Sequence, residues 1–251
     1  MSSMSVDYTD TVAIARLTRG VTNALDLELV NELGALVEKI EHDAGVSALV
    51  LGSCNDKFFS IGFDIPHLFD LSRQDFAIFF SEFNRMCQRL FTLPKPTVAA
   101  ITGHAVAGGC ILALCCDYRF IADGKKLMGL NEIKLGVPVP YLADCVLRDI
   151  VGTRYARDML DTGEFHMPAD SLRMGPVDEV LSLGDVMAKA IEKARRLGAS
   201  LSEAFALIKQ NRVEEIAQRV LAQREEKERL FVDRWYSDAA RQRLGEAIAK
   251  F

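Results

Sequence analysis

Residues 97 to 117 constrain the fold most: Thr97-Val-Ala-Ala-Ile-Thr-Gly-His-Ala-Val-Ala-Gly-Gly-Cys-Ile-Leu-Ala-Leu-Cys-Cys-Asp117. A β-branched run comes first, a glycine turn follows, and an apolar helix closes the segment. Three glycines, two threonines and His104 interrupt it, so it reads as a buried strand, turn and helix rather than a membrane span. The bare N–H groups that open such a helix, reinforced by its dipole, make an anion site. Phosphate loops fit poorly, because Gly109 is followed by Cys110 and Ile111 instead of Lys-Ser/Thr. The dinucleotide spacing of three glycines is also absent, and no cation lies close by to neutralise a polyphosphate. A smaller, transient charge remains, such as the enolate oxygen of a thioester.

Around this segment strands and helices alternate. Thr11 to Thr18 and Val46 to Leu51 read as strands, and Leu29, Val30, Leu33, Leu36, Val37 and Ile40 mark an amphipathic helix between them, capped by Asn23 or Asp26. A helix over 73–92, a strand over 97–101, a helix over 108–116 and a strand over 117–122 follow. This order implies parallel strands joined by right-handed helical crossovers. From Pro138 onward helices dominate, with one short strand near Val177 to Leu181. Residues 200 to 250 scatter Leu207, Ile208, Val213, Ile216, Val220, Leu230, Phe231 and Trp235 among many charges, so this stretch covers a neighbouring surface, its own core or another subunit.

With 251 residues and 49% hydrophobic content, the chain suits one α/β domain with a helical appendage. A net charge of −5 argues against a nucleic-acid surface. The six cysteines lack the paired spacing of zinc or redox sites and read as reduced core thiols of a cytoplasmic protein, and the N-terminus carries no signal-peptide pattern.

A second glycine turn, Lys57-Phe58-Phe59-Ser60-Ile61-Gly62-Phe63-Asp64-Ile65, follows the strand ending near Ser53, and Asp64 caps the short helix after it. Two turns at the carboxyl side of one parallel sheet lie where ligands collect in open α/β folds. One N–H from each makes a two-donor oxyanion hole.

These residues resemble the crotonase, or enoyl-CoA hydratase/isomerase, family from about residue 10 to 181. The resemblance rests on Phe59-Ser-Ile-Gly-Phe-Asp64, on Gly103-His-Ala-Val-Ala-Gly-Gly109 with Leu112-Ala-Leu-Cys-Cys-Asp-Tyr-Arg119, and on Leu130-Asn-Glu-Ile-Lys-Leu-Gly136. It implies a spiral of ββα units as a core over 1–195, and a helical region over 196–251 for trimerisation and active-site cover. It also implies a trimer or a dimer of trimers, and an acyl-CoA substrate with CoA as part of that substrate. It further implies no metal or other cofactor, and neither a nucleic-acid nor a membrane partner is expected. The hole-forming N–H groups would belong to Phe63 and Gly108. The CoA-binding set would be Asn23, Ala24, Leu25, Ser60, Ile61, Gly62, Asp64, Ile65, Gly109 and Asn131.

Family hydratases carry two glutamates, one three residues after the hole glycine. Here that position is Ile111, and only the later glutamate, Glu132, is present. Adding water calls for a carboxylate pair, whereas moving a double bond calls for one base. The pattern looks most like the mitochondrial-type enoyl-CoA delta isomerases, which convert 3-enoyl-CoA to trans-2-enoyl-CoA in fatty-acid β-oxidation. Met128, Leu130, Ile133 and Leu135 are expected to desolvate Glu132. Another reaction from the same hole, hydration or thioester hydrolysis or ring opening, stands as an alternative, as does an inactive acyl-CoA-binding or assembly protein. His67 and His104 read as packing residues and Asp117 as a turn residue. Ser60 lacks the nucleophile elbow of hydrolases, because Phe58 stands where that motif has glycine. Lys57 is a candidate for the CoA phosphates, and Phe69, with Asn131, for shaping the acyl pocket.

Overall fold

In the computed structural model, residues 3–200 and 202–249 are described. Residues 201, 250 and 251 of the expected C-terminal region therefore lie outside the described residues.

The chain opens with β1 (Met4–Thr9) and β2 (Val12–Leu17), followed by α1 (Leu27–His42). Next come β3 (Ala48–Ser53), β4 (Phe58–Ser60), α2 (Ile65–Phe69) and α3 (Arg73–Thr92). After them run β5 (Thr97–Ile101), β6 (His104–Val106), α4 (Gly108–Leu114), β7 (Tyr118–Ala122) and β8 (Met128–Gly129). A single 3₁₀ turn, Glu132–Leu135, leads into α5 (Tyr141–Thr162), α6 (Pro168–Met174), β9 (Glu179–Leu181), α7 (Leu183–Gly198), α8 (Ser202–Trp235) and α9 (Asp238–Ile248).

Three times in succession a long strand is followed by a strand of two or three residues. The long ones join a six-stranded sheet in the order β1-β2-β3-β5-β7-β9, and the short ones pair as a separate parallel sheet, β4-β6-β8. These are the ββα units that the family resemblance implies. The short strands carry too few residues to show a periodicity, which is why the sequence reading treats them as turns.

In the larger sheet β1 runs antiparallel to β2 and every other neighbouring pair is parallel. The antiparallel β1 lies outside the crossover reading, because a tight turn joins it to β2 where a crossover would need a helix. The sheet separates two apolar layers by strand alternation. Val12, Ile14, Val50, Val98 and Ala100 face Val186, Ala190 and Ala194 of α7. Ala13, Leu17, Leu49, Leu51 and Ala99 face the main core with α1 and α3. With both faces covered, the inner strands read as continuous apolar runs. Helix α7 continues past the expected boundary at residue 195 to Gly198 and belongs to this packing.

Of the two candidate caps for α1, Asp26 performs the role, accepting from Leu29 N–H at 3.0 Å. Asp64 caps α2 as expected. Five cysteines are buried and all six are free, but Cys54 is exposed, contrary to the reading that places every thiol in the core. Asp117 does more than fix a turn. It accepts from the Thr97 N–H at 2.8 Å and hydroxyl at 3.0 Å, and from Lys209 Nζ at 2.8 Å, and pairs with Arg212. Lys209 also donates to the Lys95 carbonyl, so its buried ammonium fastens α8 to the amino ends of β5 and β7.

Candidate active site

Asn23 starts the site from behind. It sits at φ 47°, which asparagine tolerates better than most residues, and is wholly buried. Its amide donates to Ser53 Oγ at 2.9 Å and to the Phe59 carbonyl at 3.1 Å. Ser60 Oγ donates to the Asn23 carbonyl at 2.8 Å and accepts from Gly62 N–H at 3.1 Å. This chain of bonds fixes the turn that presents Phe63. Leu25 pairs with it across a bridge, donating to the Gly62 carbonyl at 2.7 Å and accepting from Asp64 N–H at 2.9 Å. Those bonds flank Phe63 and leave its own N–H turned the other way.

The two glycine turns interlock. Gly62 has φ 92°, and a Cβ there would stand 2.7 Å from the Gly108 nitrogen, so only a glycine keeps that N–H open. A Cβ on Gly109 would meet the Ser60 carbonyl oxygen at 2.2 Å, so that glycine serves the close contact between α4 and β4. Gly108 is the first residue of α4, and its N–H is one of the helix's orphan donors. The residue before it, Ala107, holds φ 48° and ψ −123°, a strained conformation for a side-chain-bearing residue. Its ψ sets the peptide plane that aims the Gly108 N–H. Ala107 N–H donates to the Gly129 carbonyl at 2.9 Å, tying the hole to the segment that carries Glu132.

Glu132 opens the 3₁₀ turn, 6% exposed, with Oε2 lacking any hydrogen-bond partner. Burial pushes its carboxyl up to about 7, opposed by a weaker bond from its own backbone. Met128 and Leu130 are buried as expected and Leu135 is half-buried, but Ile133 turns outward, half exposed.

Phe63, Gly108 and Glu132 share one cavity of about 350 Å³. Of the remaining expected site residues, Ile61, Ile65 and Asn131 also line it. Asn23, Ala24, Leu25, Ser60, Gly62, Asp64 and Gly109 do not. They build the turns from outside the cavity, with Asp64 and the Ala24 carbonyl each 2.8 Å from Arg19 Nη1. Phe69 is likewise no part of the wall, whereas His104 is. His104 Nδ1 accepts from Leu127 N–H at 3.0 Å, and burial followed by the nearby Lys126 and Lys57 lowers its pKa, so it stays neutral. His67 is exposed and apart.

The sequence reading gives the C-terminal helices as active-site cover without saying which of their residues reach the site and form its far wall. Phe231 and Trp235 of α8 and Ala247 of α9 close the cavity, with Trp235 stacked on Phe76 at 4.3 Å and set edgewise to Phe63 at 6.5 Å. The sequence marks Trp235 as one apolar position among several, and its place as the sole tryptophan in a charged helix is the available signal.

Among the described residues that line the cavity, Glu132 is the one carboxylate. Ile111 lies three residues into α4, buried, and does not reach the cavity. No group of three His, Cys, Asp or Glu side chains among the described residues is placed to hold a metal ion. No helix among them is long and apolar enough to cross a membrane.

The enoyl-CoA hydratase/isomerase family model matches residues 7–251, beyond the span where the sequence motifs lie. The mouse protein "Enoyl-CoA delta isomerase 1, mitochondrial" is 36% identical over 180 residues, 71% of this chain and 62% of that protein. The chain thus spans less than two thirds of that relative. A "Probable enoyl-CoA hydratase" of Bacillus subtilis (strain 168) is 31% identical over 81% of this chain and 77% of its own length. The crystal structure of human mitochondrial delta3-delta2-enoyl-CoA isomerase superposes with a TM-score of 0.95 at 29% identity, covering 99% of this chain and 97% of that one.

Proposed function

This chain belongs to the enoyl-CoA hydratase/isomerase family and has its crotonase fold, and we propose that within the family it is a one-base isomerase turning 3-enoyl-CoA into trans-2-enoyl-CoA in fatty-acid β-oxidation. The observation that carries this reading is the single desolvated carboxylate facing a two-turn N–H hole in one cavity.

The thioester oxygen accepts from the Phe63 and Gly108 N–H groups. Glu132, ionised, removes a proton from C2, and the electron pair of that C–H bond moves onto the carbonyl oxygen as a dienolate. The dienolate collapses with the C3–C4 double bond moving to C2–C3, while C4 takes a proton from the Glu132 carboxylic acid. Base and thioester end as they began, so the cycle uses no metal or other cofactor. Raising the carboxyl to about 7 suits both halves, since the group must accept and then return a proton near neutral pH. The mostly apolar walls strengthen the hole's bonds to the developing negative charge.

Hydration is the second reading, supported by the name of the Bacillus relative. It calls for a carboxylate pair to handle the water, and the cavity wall among the described residues supplies no second carboxylate. Six free thiols fit a reducing compartment such as the cytoplasm. The exposed Leu207 and Ile208 of α8 support a trimer assembled through the C-terminal helices.

The test follows conjugated-thioester absorbance with 3-enoyl-CoA and 2-enoyl-CoA supplied separately. Absorbance should grow from the 3-enoyl substrate, and Glu132→Gln should slow that growth by about 10²- to 10⁴-fold. Near-wild-type turnover in the variant, or loss of absorbance from the 2-enoyl substrate as the main reaction, overturns the reading.

A further inference from the structure

A second cavity, about 430 Å³ and larger than the first, lies between α5 and α8 and is unused by the reaction described. Val137, Pro140 and Phe231 belong to the walls of both cavities, so these side chains stand between them. The Phe231 ring lies face to face with Phe80 at 3.9 Å.

The second cavity is built for hydrocarbon. Its inner wall includes the buried Leu160 and Val220. Its polar residues sit at the rim and are bound to one another. Asn84 donates to Glu228 at 3.2 Å, Arg148 to Asp144 at 3.1 Å, and Arg224 to Gln88, while Lys227 lies 5.0 Å from the Tyr141 ring centroid. None of the buried, unpartnered side-chain atoms among the described residues belongs to this wall. With no unpartnered donor or acceptor buried in its wall among the described residues, the inner part of the cavity gives a charged or hydroxylated group nothing in return for its lost hydration.

We propose that this cavity receives the distal methylenes of a long acyl chain whose thioester end occupies the first cavity, with Phe231 at the passage. The proposal rests on the reading above only for the ligand's being an acyl-CoA, and it makes long-chain acyl-CoA the preferred substrate class.

Binding of saturated CoA thioesters tests it without requiring turnover. The fluorescence of Trp235, the sole tryptophan, reports on the first cavity. Titrations with six-, ten- and fourteen-carbon acyl-CoA should tighten through the whole series. Each buried methylene contributes up to about fourfold, and the ten-to-fourteen step should reach at least about tenfold. Leu160→Phe, which fills the second cavity, should abolish the ten-to-fourteen gain and leave six-carbon binding within about twofold. Leu230→Phe, at the more exposed rim, should reduce the same gain and guards against a folding failure of the first variant. A wild-type protein whose affinity stops rising at ten carbons overturns the proposal, as does a full ten-to-fourteen gain in both variants. A protein that shows the predicted binding series but isomerises no 3-enoyl-CoA keeps the subsite and loses the isomerase reading. One that isomerises the six-carbon substrate without the binding gain does the reverse.

Discussion

At the residue scale, Glu132 and Gly62 carry the sharpest expectations. Activity needs Glu132 ionised, so kcat/KM should rise with pH through about 7 and level off above it, and the rising limb should vanish in Glu132→Gln. Stability runs the other way. Below its ordinary 4.5 the carboxyl is neutral in folded and unfolded chains alike. Between 4.5 and about 7 the fold retains a proton that the unfolded chain has lost, so stability falls as pH rises. Above 7 the fold bears the full cost of a buried carboxylate, roughly 3 kcal/mol. Glu132→Gln should therefore melt higher than wild type at pH 8 and lose that advantage at pH 4, as calorimetry at the two pH values would register. Gly62→Ala forces a Cβ against the Gly108 nitrogen from a positive φ. It should lower kcat by at least about 10²-fold through the lost hole donor and also lower the melting temperature, whereas unchanged kcat would remove Gly108 from the mechanism.

At the element scale, the long polar helix α8 is attached by two different means. Its end inserts Phe231 and Trp235 among Phe76, Phe80 and Phe63, and its beginning is pinned by Lys209 to Asp117, with both of those side chains almost fully buried. Asp117→Asn leaves the Lys209 ammonium buried without its counter-charge. That should cost about 3 kcal/mol, or a fall of about 6 to 12 °C in melting temperature. Lys209→Met added to it should recover part of the loss, because it removes the orphaned charge. A simple sum of the two single effects would deny the pairing. The amphipathic reading of 200–250 foresaw that α8 covers a surface. It did not foresee which face, since Val213, Ile216 and Val220 turn inward while the equally apolar Leu207 and Ile208 stay exposed.

At the scale of the whole molecule, legibility followed length and periodicity. The strands and helices with several turns of pattern, β2, β3, β5, α1 and α3, lie where their hydrophobic spacing places them, within a residue or two. The small sheet β4-β6-β8 escaped because two or three residues carry no period, yet it is this sheet that sets Phe63, Gly108 and Glu132 around one cavity. The glycine turns and Glu132 were visible as motifs. The strain at Ala107 was not, because alanine carries no sequence mark of a positive φ. Several residues that the resemblance assigns to CoA binding lie outside the cavity wall and brace the turns, since a motif shows which residues a turn requires without showing which of them face inward. The far wall depends on contacts between residues more than 150 positions apart, such as Phe76 with Trp235, and such pairings leave no local trace.

The central claim is that one carboxylate carries the proton from C2 to C4 while the bound substrate covers it. A 3-enoyl-CoA deuterated at C2, turned over briefly in ordinary water, tests it most directly when the deuterium at C4 of the product is measured. A single Glu132 base predicts that part of the label reappears at C4 of the same molecule, and that Glu132→Gln abolishes label transfer along with turnover. Product whose C4 hydrogen comes wholly from solvent, at full wild-type rate, would mean that the proton is not held between C2 and C4, whether through exchange with water or through a second acid, and would contradict the account.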